Sequence, residues 1–405
     1  MRHSLLVGLG LLAGCAGGQA PVSVLSIRDS AGIQIVEHPA GYEDGLPVWT
    51  LGEPVLDLGG SDAPGHDLFR VGGAARLRNG RIVVINRSTA ELRFFDSTGA
   101  FLSALGRRGD GPGEFSNSIS AVQVLSGDTL FVIDGTARRG TTLSPSGAAQ
   151  TISFATPDRD HYLSVSARLG DGRLIAQYRG PLPMEDFDGP IRRDTFPIVL
   201  FRPGDPRLDT LALVPGGEVF PARHSEGGQE YPTIRGVEFG KSTHFVAGGD
   251  RILLGTNEAG EIREYDGSGR LVRLIRSATP PEPVTEEYRA SRIKERLDRI
   301  GRARADEAIK AEWRKNEESP RFAAVFPWHE RIMLGTDGSI WLERQRRFDD
   351  EGHRFLVFDS AGRAIATLRC PDRMRPYSVG AEEVIGLWRD SDEVEHVRVY
   401  PVRRQ

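Results

Sequence analysis

The side chains in this sequence that could do chemistry are scattered. None falls into a spacing that assembles a reaction centre by itself. Nine histidines occur, but no HxxxH or HExxH pairs them on one helix face, the arrangement through which two imidazoles reach one zinc ion. No GxSxG elbow presents a serine nucleophile. The acidic run Asp349-Asp350-Glu351 lacks the D-x-D-x-D-G spacing of a calcium loop and reads as a solvated turn. The stretch GDGPGEF at 109–115 has the glycines of a phosphate loop, yet no lysine follows and no helix starts there.

What remains is a set of polar and aromatic residues at the ends of apolar runs. Arg70 precedes VGGAARL, Asn86 and Arg87 follow RIVVI, and Asp134 follows TLFVI. His244 opens HFVAGG, Trp328 and His329 sit in FPWHERIML, and Arg344 ends IWLER. Singly, each suits surface or turn-capping duty. Gathered at the mouth of a channel they would form a polar, partly cationic pocket with aromatic walls, a concavity suited to ligands. No general base, nucleophile or metal ligand is assigned among them, and no cofactor is expected.

Positioning such residues falls to an internal repeat of about 45 residues. Six segments share an apolar strand, a turn and a second apolar strand: 74–86, 121–134, 166–178, 244–256, 332–344 and 377–388. NG, GD and DG turns between alternating apolar runs signal hairpins. Second hairpins follow at 91–106, 139–154, 196–214, 261–276 and 355–370. Two hairpins make four antiparallel strands, the blade of a β-propeller. Gly80, Gly127 and Gly172 lie 47 and 45 residues apart, whereas Gly172 to Gly249 spans 77 and Gly249 to Gly338 spans 89. The long gaps read as insertions without further hairpins. One of them, 284–318, is the only convincing helical stretch, with 10 basic and 9 acidic residues. It is expected to be a flap packed on one propeller face rather than a polybasic membrane helix.

The sixth unit ends one strand short, at VEHVRVYPV (394–402), while PVWTLGEPVLDLGG (47–60) has no hairpin partner. Pairing the two would close the ring and remove its exposed edges. The expected fold is therefore all-β: a six-bladed propeller over 47–405, closed by the N-terminal strand on the C-terminal blade, with the helical insertion. Composition agrees with a globular chain, at 39% hydrophobic and 27% charged residues. Lys and Arg number 52 against 56 Asp and Glu, a net charge of -4, so no basic field is available for nucleic acid. A monomer is expected.

The N-terminus carries Arg2, an apolar run from Leu5 to Leu12, and Leu12-Ala13-Gly14-Cys15. The run is too short to span a bilayer and suits a secretory signal. Its end resembles the bacterial lipobox. The resemblance implies cleavage before Cys15, lipid on its sulfur and new amino group, and a membrane partner through that anchor. Ala16 in place of aspartate implies the outer membrane. Residues 1–14 would then be the signal peptide, and 15–46 the lipidated tether and N-terminal strand region. Cys370, at the end of AIATLRC, reads as a packed strand residue.

The segment LGRRGDGPGEFSNSISAVQV (105–124) resembles the link between blades of NHL-repeat propellers, matched at Gly106, Gly109, Gly111, Pro112, Gly113 and Phe115. With the opening RDSAGIQIVEHP and the helical insertion, the chain is similar to bacterial six-bladed β-propeller lipoproteins. That family implies a fold and an envelope location but no uniform activity. The first functional expectation is a non-enzymatic lipoprotein that binds a protein, peptide or glycan at its axial face. The alternative is similar to gluconolactonase and peptidyl-hydroxyglycine lyase propellers. It is a hydrolase or lyase with a divalent cation held by residues such as Asn86, Asp134, His244 and Glu343.

Overall fold

A computed structural model describes residues 25–154, 156, 160–180, 189–317, 320–347 and 350–404. The signal segment and Cys15 lie outside the described residues. The described residues open with four short strands: β1 (Ser26–Ser30), β2 (Ile33–His38), β3 (Val48–Leu51) and β4 (Leu56–Gly59). Blade 1 is β5 (Val71–Arg76), β6 (Ile82–Asn86), β7 (Glu91–Phe95) and β8 (Phe101–Leu105). Blade 2 is β9 (Ile119–Val124), β10 (Leu130–Asp134), β11 (Arg139–Leu143) and β12 (Ala149–Ser153). Blade 3 is β13 (Tyr162–Arg168), β14 (Leu174–Arg179), β15 (Thr195–Phe201) and β16 (Leu208–Pro215). A separate hairpin, β17 (Val219–Glu226) with β18 (Gln229–Gly236), precedes blade 4. Blade 4 is β19 (Thr243–Gly248), β20 (Arg251–Thr256), β21 (Glu261–Asp266) and β22 (Leu271–Ser277). Helices α1 (Glu286–Arg302) and α2 (Glu307–Asn316) follow. Blade 5 is β23 (Arg331–Leu334), β24 (Ile340–Glu343), β25 (His353–Phe358) and β26 (Ala364–Cys370). Blade 6 takes β27 (Met374–Val379), β28 (Glu383–Arg389) and β29 (Glu395–Arg403) from the C-terminus.

Its fourth strand comes from the other end of the chain. β4 pairs antiparallel with β29, Leu56 opposite Val399 and Leu58 opposite Val397. The chain is a six-bladed β-propeller closed by this pairing. Six apolar clusters account for the ring, one between each pair of neighbouring blades. The cluster that seals it joins Leu56, Leu58, Ile385 and Val397 of blade 6 to Val71, Ile82, Val84 and Phe95 of blade 1. This explains a feature of the sequence. Strand β6 reads IVVIN and is buried at every position. Ile82 and Val84 face blade 6, whereas Val83 and Ile85 face blade 2. A strand covered on both faces shows a continuous apolar run instead of alternation.

The GPGEF link works the same way. Phe115 is fully buried between blades 1 and 2 with Val83, Leu92 and Ile119. Gly106, at φ +96°, lies so close that a Cβ there would stand 2.6 Å from the Phe115 ring. The glycine is needed both for its left-handed backbone and for the approach of that ring.

Two features depart from expectation. The gap between Gly172 and Gly249 does contain a hairpin, β17–β18, turning at Gly227-Gly228. It adds no blade, but it stands beside the helices: Asn316 of α2 accepts from the Ser225 backbone N–H. The stretch 47–60 forms two strands rather than one. β4 closes blade 6, while β3 runs parallel to β26 of blade 5 at Val48 and Trp49. Further upstream, β2 lies parallel to β22 and β1 antiparallel to β2, so blade 4 has two added outer strands. The helical expectation over 284–318 holds, with Thr285 capping α1 through its side chain, which accepts from the Tyr288 N–H.

Candidate functional site

Four antiparallel strands place the start of the first and the end of the last on one side of a blade. All blade-to-blade connections therefore lie on one face of the ring, the linking face, together with the end of every second strand. The hairpin β17–β18 and the helices are inserted into two of these connections, so both insertions stand on the linking face.

Sequence reasoning placed Asn86 and Asp134 at the ends of second strands. Both are fully buried caps. The Asn86 Oδ1 accepts from the Phe69 N–H at 3.0 Å. The Asp134 carboxylate accepts from the Ser116 N–H at 2.7 Å. Asn257, one residue past β20, repeats the device, accepting from the Ser242 N–H at 2.6 Å. Each side chain ties the end of a second strand to the connection that enters its own blade.

His244, Trp328, His329 and Arg344 are brought together where blades 4 and 5 meet. The His244 and His329 rings are 5.2 Å apart, and the Trp328 and His329 rings 5.8 Å. Arg344 donates to the Trp328 carbonyl at 2.8 Å, lies 5.8 Å over the indole, and sits 3.5 Å from the Glu43 carboxylate. His329 is 0% exposed, and among the described residues neither of its ring nitrogens has a hydrogen-bond partner. Burial, then the charges of His244 and Arg344, hold its pKa well below the ordinary histidine range. Burial lowers His244 as well. This cluster is packed shut, against the expectation that it lines an open pocket.

Arg70 and Arg87 are elsewhere, at the entrance to blade 1. Arg70 is exposed in a left-handed conformation, φ +58°. Arg87 donates from Nε to the Ile119 carbonyl at 2.7 Å. Across the seal between blades 6 and 1, the Tyr377 hydroxyl donates to the Val71 carbonyl at 2.8 Å. Burial raises the Tyr377 phenol, and the charges of Arg375, Arg87 and Arg389 pull it the other way. Arg375 lies 6.0 Å over the Tyr377 ring at this joint.

An open concavity lies next to this joint, between blades 5 and 6 on the linking face. It measures about 510 Å³. Its cations are Arg331, Arg373, Arg375 and Arg389, and its carboxylates are Glu330, Glu343, Asp372 and Glu393, with His353 beside them. Glu343 is buried and spoken for: His353 Nδ1 is 2.6 Å from one oxygen and Arg331 Nε 2.8 Å from the other. Burial favours its neutral form, but these two partners together bring it below the usual carboxylate range. Glu330 is open to solvent within the cavity, and the enclosing chain together with Glu343 raises its pKa. Arg373 and Arg375 are exposed and, among the described residues, have no carboxylate within ion-pair distance. Sequence reasoning named Glu343 only as a conceivable metal ligand and did not single out the other cavity residues. Their one signal is the pair of charged connections, Asp372-Arg373 and Glu393, between apolar strands.

The four residues of the metal-dependent alternative do not form a donor set. Asn86, Asp134 and Glu343 are engaged as above, and His244 Nε2 is 3.0 Å from the Ser242 hydroxyl. Among the described residues, no group of three or more His, Cys, Asp or Glu side chains is placed to hold a metal ion.

A family model described as a 6-bladed beta-propeller matches residues 68–138, which are blade 1 and the first half of blade 2. No curated protein matches the chain. Among solved structures, a candidate exported protein from Bacteroides fragilis is 12% identical, covers 92% of this chain and 99% of its own, with a TM-score of 0.45. A duf4221 family member from Bacteroides vulgatus is 10% identical over 88% and 98%, with a TM-score of 0.48. Virginiamycin B lyase from Staphylococcus aureus is 9% identical over 82% and 94%, with a TM-score of 0.37. None of these likenesses bears on activity.

Proposed function

We propose that this chain is a non-enzymatic binding propeller, anchored to the cell envelope by lipid on Cys15, with the outer membrane as its site. Its ligand is a peptide seated between blades 5 and 6. The observation that carries the reading is the cavity of about 510 Å³ with charges of both signs on its walls. Its size is within the range of small-ligand sites, roughly 300–1,000 Å³. Arg373 and Arg375 offer planar donors for carboxylates, the geometry in which arginine binds best. Glu330 and Glu393 can accept from an amine or a backbone N–H. A peptide supplies both kinds of group along one short segment, whereas a neutral glycan leaves the unpaired arginines without anionic partners. The anchor reading rests on the lipobox resemblance, and a monomer suffices for it.

The test is selection from a random peptide library on the mature protein, followed by fluorescence polarisation with the enriched peptides. Enrichment of acidic sequences is expected. Arg373→Ala with Arg375→Ala should weaken binding at least about tenfold, the loss of one or two charge-assisted hydrogen bonds, with an unchanged melting temperature. No enrichment, or equal binding by the double variant, refutes the site.

A further inference from the structure

We propose that the blade 4 edge of the linking face, not the cavity between blades 5 and 6, is turned toward the bilayer, and that the helical insertion rests on lipid through Trp313, Ile309 and Leu297. The proposal depends on the lipid anchor of the preceding reading.

Strand register places the tether. Ser26, the first residue of β1, is opposite Glu37 of β2. Glu37 is opposite Arg276 and His38 opposite Ser277, the last residue of β22. Arg28 and Arg276 both pair with Glu37, at 3.3 and 3.5 Å. The chain therefore enters the propeller beside the end of β22, which is where the insertion leaves it. Tether and helices share one face and one blade. From Cys15 to Leu25 there are ten residues, AGGQAPVS among them. Ten residues reach at most about 36 Å. Lipid on Cys15 thus holds this edge of the propeller close to the membrane.

The helices have the surface such a position calls for. Neither α1 nor α2 contains a buried residue. Ile309 is 42% exposed and Trp313 41%, one turn apart on the same side of α2, and Leu297 of α1 is 37% exposed. Ile300, one turn from Leu297, lines the same groove as Trp313, whose other walls include Arg223, His224, Arg235, Arg296 and Arg299. The inner side of α1 packs on the body, with Tyr288 5.2 Å from the Phe326 ring and Arg292 paired with Glu238 at 2.7 Å, while Leu297, Ile309 and Trp313 stay on the outer surface. Tryptophan with one apolar body and one polar N–H suits the membrane interface. The charges do not make this an electrostatic contact. Lys294–Asp298, Arg299–Glu295 and Lys310–Glu307 pair within the helices at 2.9, 2.9 and 3.1 Å. With 10 basic and 9 acidic residues over 284–318, attraction to anionic headgroups is small. The docking is apolar and should be insensitive to salt.

Trp49, Trp328 and Trp341 are buried and Trp388 is half-buried, so Trp313 is the exposed member of the five tryptophans. This makes fluorescence a direct probe. The full lipidated protein is reconstituted into phosphatidylethanolamine–phosphatidylglycerol vesicles with and without brominated acyl chains. Brominated lipid should quench the wild type, and Trp313→Phe should abolish at least half of that quenching, equally at low and high salt. Mass spectrometry of the N-terminal peptide reads the anchor separately. Lipid on Cys15 without Trp313-dependent quenching overturns the docking and leaves the anchor standing. An unlipidated Cys15 overturns both. Quenching that high salt removes overturns the apolar contact, and so does photo-cross-linking in intact envelopes that joins residue 313 to a protein instead of lipid.

Discussion

Replacing His329 with leucine should flatten the pH dependence of stability between neutral pH and about pH 5. The imidazole is 0% exposed and, among the described residues, neither nitrogen has a partner, so the native site holds it neutral. Burial, His244 and Arg344 all disfavour the proton there. In the unfolded chain the same group takes up a proton near pH 6.5. Below that pH the unfolded state binds one proton more than the folded state, so stability falls as pH falls. The limiting slope is about 1.4 kcal/mol per pH unit. Over the roughly 1.5 units down to pH 5, the loss assigned to His329 approaches about 2 kcal/mol. Urea unfolding of wild type and His329→Leu at a series of pH values measures it. His244, His38 and the carboxylates titrate in both proteins and cancel to first order. The variant's absolute stability at neutral pH is immaterial, since the readout is the change with pH. Parallel stability curves for the two proteins would refute the buried, neutral assignment and with it the packed contact between blades 4 and 5.

Closure of the ring can be tested at Leu58, which is fully buried among Leu56, Ile385 and Val397 and pairs with Val397. Leu58→Ala should cost about 2–5 kcal/mol, the usual range for a buried leucine, as read from denaturant midpoints; a loss under about 0.5 kcal/mol would mean that β4 does not hold blade 6. Cys370 is 1% exposed, and burial pushes its thiol up to about 12. It should resist alkylation in the native protein at mildly alkaline pH and react once urea unfolds the chain; labelling of the folded protein at the unfolded rate contradicts this packing.

The parts of the fold legible in the sequence are those encoded locally. The blade turns announce themselves because Gly80, Gly172 and Gly338 hold φ of +85°, +85° and +81°, a conformation that favours glycine after Asn or Asp. Closure was legible by parity, since the last unit lacked one strand and the start of the chain had one to spare. The attachment of β2 to blade 4 was not. It is a parallel pairing of Gln34 with Arg273, far apart in sequence and joined by no turn. The hairpin β17–β18 was hidden for a different reason. Pro221 and Pro232 stand inside its strands, where proline argues against a ladder. Its second strand opens with four exposed residues, so no apolar alternation marked it.

The site divides along the same line. Apolar runs end at His244, Trp328, His329 and Arg344, and ends of runs can be read without a structure. Whether an end opens to solvent or is sealed by its neighbour depends on what the adjacent blade and the N-terminal segment bring. Glu43 reaches Arg344 from some 300 residues away in sequence, at 3.5 Å, and helps close that pocket. The opposite happens between blades 5 and 6. There the connection Pro371-Asp372-Arg373 is short and the blade 6 loop ends at Val394, so among the described residues nothing covers Arg375. An open cavity in a propeller is thus set by the shortness of particular connections around a ring. Neighbours on that ring include Val71 and Tyr377, bonded at 2.8 Å although 306 positions apart. Once the ring order is known, connection length alone separates the two places. The long insertion ahead of blade 5 goes with the sealed histidines, and the minimal connection ahead of blade 6 with the exposed arginines. Residues that bind should therefore be sought where the linking face is bare, not where polar residues are densest.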